Sequence, residues 1–283
     1  MPLMPVTRLA TKRVEKPWGR RDLGYGFGDV PAGDTPIGEI WFEAPDGASP
    51  ELLIKYLFTG DKLSVQVHPD DAQARARGYP RGKDESWVVL NAEPHATIAI
   101  GTLEVMTPDE LRAAALDGTI EGKVDWKAVR AGDFYYTPAG TIHAIGPGLT
   151  VVEVQQNVDL TYRLYDYGSG RELHLDDGIA VSNPVPYVAT HIPMEAEAGR
   201  TVLADGPAFV LERWARSGEG TLKVDADRPV WLIPLAGGGT VDGTPLEPGG
   251  VWLADGTVAL SLRQDTDMLV AYPGAGVVRH IWG

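Results

Sequence analysis

With 283 residues, no cysteine and a formal net charge of −14, the chain is long enough for one large or two ordinary cores. The composition excludes disulfides, thiolate metal sites and cysteine nucleophiles, and the acidity argues against nucleic acid as a partner. An anionic substrate would need a locally basic site. No apolar run of a signal peptide follows Met1-Pro-Leu-Met-Pro, and no stretch approaches the roughly 20 apolar residues of a membrane helix, so the expected location is cytoplasmic. Glycine (34) and proline (22) are scattered without a period, which suits many short strands and turns.

In chain order, residues 14–49 contain Lys16-Pro17-Trp18-Gly19, glycines at 24, 26 and 28, and a strand over 37–42. Trp18 and Trp41 read as core or rim packing. Residues 51–58, ELLIKYLF, form a dense apolar run that reads as a buried strand leading into Gly60. The next strand is expected over 62–67. Side chains alternate faces along a strand, so Leu63, Val65 and Val67 share a core face, and Ser64, Gln66 and His68 share the other. That second face carries a hydroxyl, an amide and an imidazole in line, each able to touch a ligand or a metal; a half-buried strand with a polar outer face has the same pattern. Residues 70–77 form a short helix with acids in its first turn and Gly78 as its stop. Lys83 and Glu85 then point to one side, as a base and carboxylate of a site or as a surface ion pair, ahead of a strand over 87–90. Thr107-Pro108-Asp109-Glu110 is a capping box that opens a helix ending at Asp117-Gly118. Helical insertions are thus expected at about 70–78 and 107–117.

Residues 132–143, GDFYYTPAGTIH, turn into a strand over 134–137, stop at Pro138, turn at Gly140 and start a new strand at His143. Glu153 and Gln155 share one face of the strand that follows. Arg163 lies among alternating tyrosines, where it can hold an oxyanion or phosphate, or serve as a stacked structural arginine.

The patterns G-x5-Q-x-H (residues 60–68) and G-x5-P-x-G-x-x-H (132–143) resemble the two halves of the cupin signature, with glutamine at the first histidine position. Glu85 follows His68 only after the short helix, and Pro147 stands where the signature has a polar residue. LSVQVHPDD (63–71), GKDESW (82–87), PAGTIHAIG (138–146) and EVQQNVDLTYRLYDYG (153–168), with IGEIWFE and KPWG, together resemble the type I mannose-6-phosphate isomerases in their short bacterial form, over roughly residues 14–185. The resemblance implies an all-β jelly-roll barrel, a zinc ion on Gln66, His68, Glu85 and His143, and a catalytic Arg163. The donor set also accommodates iron, manganese or nickel. The implied reaction interconverts mannose 6-phosphate and fructose 6-phosphate through an enediol. Lys83 and Glu153 are the candidate acid and base, and Ser64, Lys83 and Arg163 the candidate phosphate ligands.

Residues 186–283 read as short strands at 209–214, 220–224, 230–235, 239–241, 251–254, 258–262 and 268–272, the spacing of an all-β unit. Residues 246–256 echo 129–139, which suggests a second cupin-like unit without metal ligands. A catalytic unit at 1–185 and a degenerate one at 186–283 are expected. Three rival readings are a non-catalytic sugar-binding or regulatory cupin, a cupin iron dioxygenase, and an isomerase of another hexose phosphate.

Overall fold

The structure is a computed structural model describing residues 6–28, 35–45, 48–224 and 228–283; the Met1-Pro-Leu-Met-Pro start lies outside the described residues. Among these residues the strands form four sheets with antiparallel pairings. No helix is long and apolar enough to cross a membrane.

The six-stranded sheet runs Ala10–Arg20, Ile37–Glu43, Leu52–Thr59, Leu149–Gln156, Glu85–Ala92 and Phe134–Thr137. It faces a five-stranded sheet of Tyr162–Tyr165, Val65–Val67, His143–Ile145, Thr97–Thr102 and Val124–Ala128. Leu57, Trp87, Val89 and Val151 meet Ile98, Ile100 and Ile145 between them, closing one jelly-roll barrel. Behind the six-stranded sheet stands a seven-stranded one, and Ile54, Tyr56 and Phe58 pack there against Phe209, Leu211, Trp231 and Leu269. The Leu52–Thr59 strand is therefore buried on both faces, which is why ELLIKYLF shows no alternation. The seven-stranded sheet closes a second barrel with a four-stranded sheet around Trp214, Leu232, Val270 and Leu260.

The echo between residues 129–139 and 246–256 has a topological counterpart. Phe134–Thr137 lies beside Glu85–Ala92, and Trp252–Ala254 lies beside Val230–Ala236, at corresponding places in the two large sheets. One strand crosses between the units: Val6–Arg8 pairs with Trp252–Ala254 and so belongs to the second barrel's sheet.

Helices occupy Asp71–Arg75 and Pro108–Asp117, each with a complete capping box. A third, Leu175–Val181, has no side-chain cap at its start and was not expected. All three cover the outer face of the five-stranded sheet. Val65 and Val67 pack in the core beneath them, as expected, and Gln66 between them faces the barrel interior. The strand is shorter than expected, Val65–Val67, and Leu63 packs inside the barrel with Trp18 and Leu57.

Candidate active site and metal centre

Strand register brings the site together. Side chains opposite each other on antiparallel neighbours share a face. On one wall Arg163, Gln66 and His143 are neighbours in a single row across three strands. On the facing wall Trp41, Lys55, Glu153 and Trp87 form a second row, with Gln155 opposite Glu85 one pleat away. Ser64, Gln66, Lys83, Glu153 and Arg163, all named from the sequence, line one cleft.

In contact with Gln66 and Lys83 of that lining, donor atoms of His68, Glu85 and His143 lie within 4.8 Å of one another, and all three residues are buried. Each imidazole has a fixed tautomer. His68 Nδ1 donates to the Leu160 carbonyl at 2.9 Å, and His143 Nδ1 donates to the Thr141 carbonyl at 2.9 Å. Both Nε2 atoms are left as lone pairs toward the cluster. His143 Nε2 stands 3.1 Å from Glu85 Oε1, and His68 Nε2 stands 3.5 Å from Glu85 Oε2. Acceptors this close repel unless a cation joins them. Neither Glu85 oxygen has a hydrogen bond of acceptable geometry. Two neutral imidazoles and one carboxylate without sulfur fit a zinc-type ion.

Lys83 supplies the nearest positive charge. Its Nζ lies 3.2 Å from His68 Nε2 and 3.1 Å from Glu85 Oε2, so the expected same-side pair exists but is buried, not a surface bridge. Burial, then the Lys83 ammonium, pushes the His68 pKa down to about 3. Burial also opposes the Glu85 charge, but the positive charge beside it, that of Lys83 foremost, outweighs this and holds the carboxyl well below its ordinary value. The Gln66 amide approaches His143 Nε2 at 3.2 Å through Nε2, while its Oε1 accepts from Ser64 Oγ at 3.2 Å. Rotating this amide, whose two ends have nearly the same shape, turns Oε1 to the cluster.

The facing wall holds a group the sequence reading passed over. Lys55 sits 3.1 Å from Glu153 Oε1, and Trp87 Nε1 donates to Glu153 Oε2 at 3.1 Å. Burial disfavours the Lys55 charge, yet Glu153 and Glu39 outweigh it and raise its pKa. The signal was a lone lysine inside ELLIKYLF, since a lysine is rarely buried unless paired. Gln155 was also undervalued. Its Nε2 donates to the carbonyls of Gln156 and Val158, at 2.9 and 3.0 Å, and its buried Oε1 has no donor.

The aromatic walls expected around Arg163 are not there. Alternation sends Tyr162 to the helix side, while Tyr165 and Tyr167 pack on each other. Arg163 is instead held by Nε donating to the Glu172 carbonyl at 2.9 Å and by backbone bonds with His174. Among the described residues no carboxylate pairs with it. Arg171 also reaches the cleft, held by the Asp166 carboxylate; nothing in its sequence surroundings marked it.

The same architecture recurs among known proteins. ManA of Bacillus subtilis, a mannose-6-phosphate isomerase, is 35% identical over 219 residues, covering 71% of this chain and 68% of its own length. The chain belongs to the mannose-6-phosphate isomerase family. Another family member, from Streptococcus mutans, is 36% identical over 200 residues, covering 67% of this chain; the match spans 62% of that relative's length. Among solved structures, the Bacillus subtilis mannose 6-phosphate isomerase matches with a TM-score of 0.78 at 27% identity, covering 93% of this chain and 98% of that one. A zinc-bound holo form of the family has the same fold, with a TM-score of 0.72, 13% identity and 96% and 100% coverage. No protein-family profile matches the chain.

Proposed function

We propose that the chain is a metal-dependent aldose–ketose isomerase that interconverts mannose 6-phosphate and fructose 6-phosphate. The observation that carries the reading is the buried His68, Glu85 and His143 cluster in contact with Lys83, which lines a cleft together with Arg163, Lys55 and Glu153. His68, Glu85 and His143 would hold one zinc ion, with Gln66 as a neutral fourth ligand. A bound zinc ion would supply Lewis acidity toward the substrate's oxygens.

The chemistry removes the proton at C2, moves a hydroxyl proton between the two oxygens and delivers a proton to C1. Glu153 and Lys83 are the groups proposed to carry it. A base works only within about 2.6–3.2 Å of its proton. Glu153 is held between Lys55 and Trp87, which fixes its direction. Lys83 bridges His68 and Glu85, within reach of a sugar oxygen bound above the cluster. Arg163, without a carboxylate partner among the described residues, is suited to the oxyanion or to the substrate phosphate. Ser64 is proposed as a further phosphate contact, and Lys83, held at the cluster, is given the proton instead of the phosphate. These cations supply the basic pocket that a chain of net charge −14 needs for an anionic sugar. Residues 1–185 would carry the chemistry and residues 186–283 would act as its support. A cysteine-free chain working on a phosphorylated sugar suits the cytoplasm.

The test is a coupled assay for fructose 6-phosphate on protein stripped with chelator and then given zinc. Restored turnover, lost in Arg163→Ala while zinc stays bound, supports the proposal. Zinc binding with no turnover on any hexose phosphate overturns it.

A further inference from the structure

Asp84 stands between Lys83 and Glu85 in sequence, but its carboxylate is engaged away from them. Oδ2 accepts from Tyr136 Oη at 2.6 Å, and Oδ1 accepts from the Ala139 backbone N–H at 2.8 Å. The Asp84 backbone is tied as well: its N–H donates to Gln156 Oε1 at 2.9 Å, and its carbonyl accepts from the Gln156 N–H at 3.1 Å. Ala139 belongs to the Pro138–Gly140 turn that delivers His143. The other side of that turn is pinned too, because the Gly140 N–H donates to the carbonyl of His68 at 2.8 Å. One buried carboxylate thus joins the backbone next to Glu85 to the turn that links His68 and His143.

Tyr136 carries the connection out of the first barrel. Its ring packs at 4.4 Å on His191 and 5.7 Å on Phe209, the latter in the second barrel. Gly206 closes over its hydroxyl; a Cβ there would lie 2.3 Å from Tyr136 Oη.

We infer that Asp84 and Tyr136 are positioning residues that set the spacing of Glu85 and His143, so that the fit of the second barrel against Tyr136 tunes metal affinity in the first. The inference rests on the metal reading of the His68, Glu85 and His143 cluster. A merely structural role for the Asp84–Tyr136 bond predicts a different outcome: a lower unfolding midpoint with unchanged metal binding.

The experiment is competition for zinc against a chromophoric chelator, with thermal unfolding of the metal-free protein followed in parallel. Asp84→Ala is expected to weaken zinc binding about tenfold, at the low end for residues that orient ligands, and Asp84→Asn by less. Tyr136→Phe, which keeps the ring packing, should weaken it a few-fold. Gly206→Ala, in the other barrel and outside the cleft, should do the same. The Asp84→Ala/Tyr136→Phe double variant should bind no more weakly than Asp84→Ala alone, because both changes break one connection. If Asp84→Ala does not fold, Asp84→Asn and Tyr136→Phe carry the test. Unchanged zinc affinity in the folded variants overturns the inference while leaving the metal site standing. A wild-type protein that binds no zinc removes the metal reading, and the inference with it.

Discussion

The two barrels share a strand order but fill their interiors in opposite ways. In the second, Glu212 is fully buried, and every oxygen contact is made within the chain. It accepts from Arg200 Nε and Nη2 at 2.6 Å, from Trp214 Nε1 at 2.7 Å and from Tyr272 Oη. Arg200 and Tyr272 then anchor Val278 of the C-terminal segment through its carbonyl and N–H, and Trp282 packs edge-on against Trp214. In the first barrel, Glu85 and Gln155 are just as buried, yet their oxygens lack hydrogen bonds. A buried carboxylate is tolerable when its charge and lone pairs are answered. The second barrel answers them from its own chain and becomes a plug. The first pairs the Glu85 charge with Lys83 at 3.1 Å but leaves the hydrogen-bonding capacity of these oxygens open to a metal ion and a substrate. A ligand site of this kind differs from a structural network less in which residues it contains than in whether the chain satisfies them.

Matched substitutions can break this comparison. Glu85→Gln is expected to abolish zinc binding and lower turnover by about three orders of magnitude, read by metal analysis and the coupled assay. Glu212→Gln should cost about 3 kcal/mol of stability in urea unfolding, because Arg200 loses its buried partner, while zinc affinity and low-temperature turnover persist. Loss of zinc from folded Glu212→Gln protein would mean that the second interior is not merely a plug. Arg163→Ala should reduce kcat/KM about a hundredfold with the metal retained; an equal loss of zinc would make it a structural residue. The smallest effect sharpens the picture. In Lys83→Met the ammonium no longer shares Glu85 Oε2 and His68 Nε2 with an incoming dication, so zinc binding should tighten a few-fold even as turnover falls. Weaker zinc binding in that variant would show that Lys83 supports the cluster instead of competing with it.

Much of this was legible in the chain because the barrel interior is written with period two. Ser64, Gln66 and His68 alternate with apolar residues, and the Gly-Asp and Pro-x-Gly turns fix where His143 begins. The two capping boxes announced their helices. What was hidden depended on partners far along the sequence. Lys55 lies in a strand covered on both faces, so no alternation exposed it until Glu153 was set opposite. The helix Leu175–Val181 lacks a capping side chain and had no local signal. The tyrosines around Arg163 misled because alternation sends Tyr162 to the other face, while a break in register between Arg163 and Tyr165 interrupts that alternation and Tyr165 packs on Tyr167.

The strand Val6–Arg8 also sets an order in time. Its partner, Trp252–Ala254, is made about 250 residues later, on the order of 10–50 s at ordinary synthesis rates. During that interval the back of the six-stranded sheet, with Ile54, Tyr56 and Phe58, has no second barrel to cover it. The first barrel can assemble its ligands early, yet it stays adhesive until the second barrel's strands are made, and a ribosome stalled before residue 252 would hold a nascent chain that chaperones must shield.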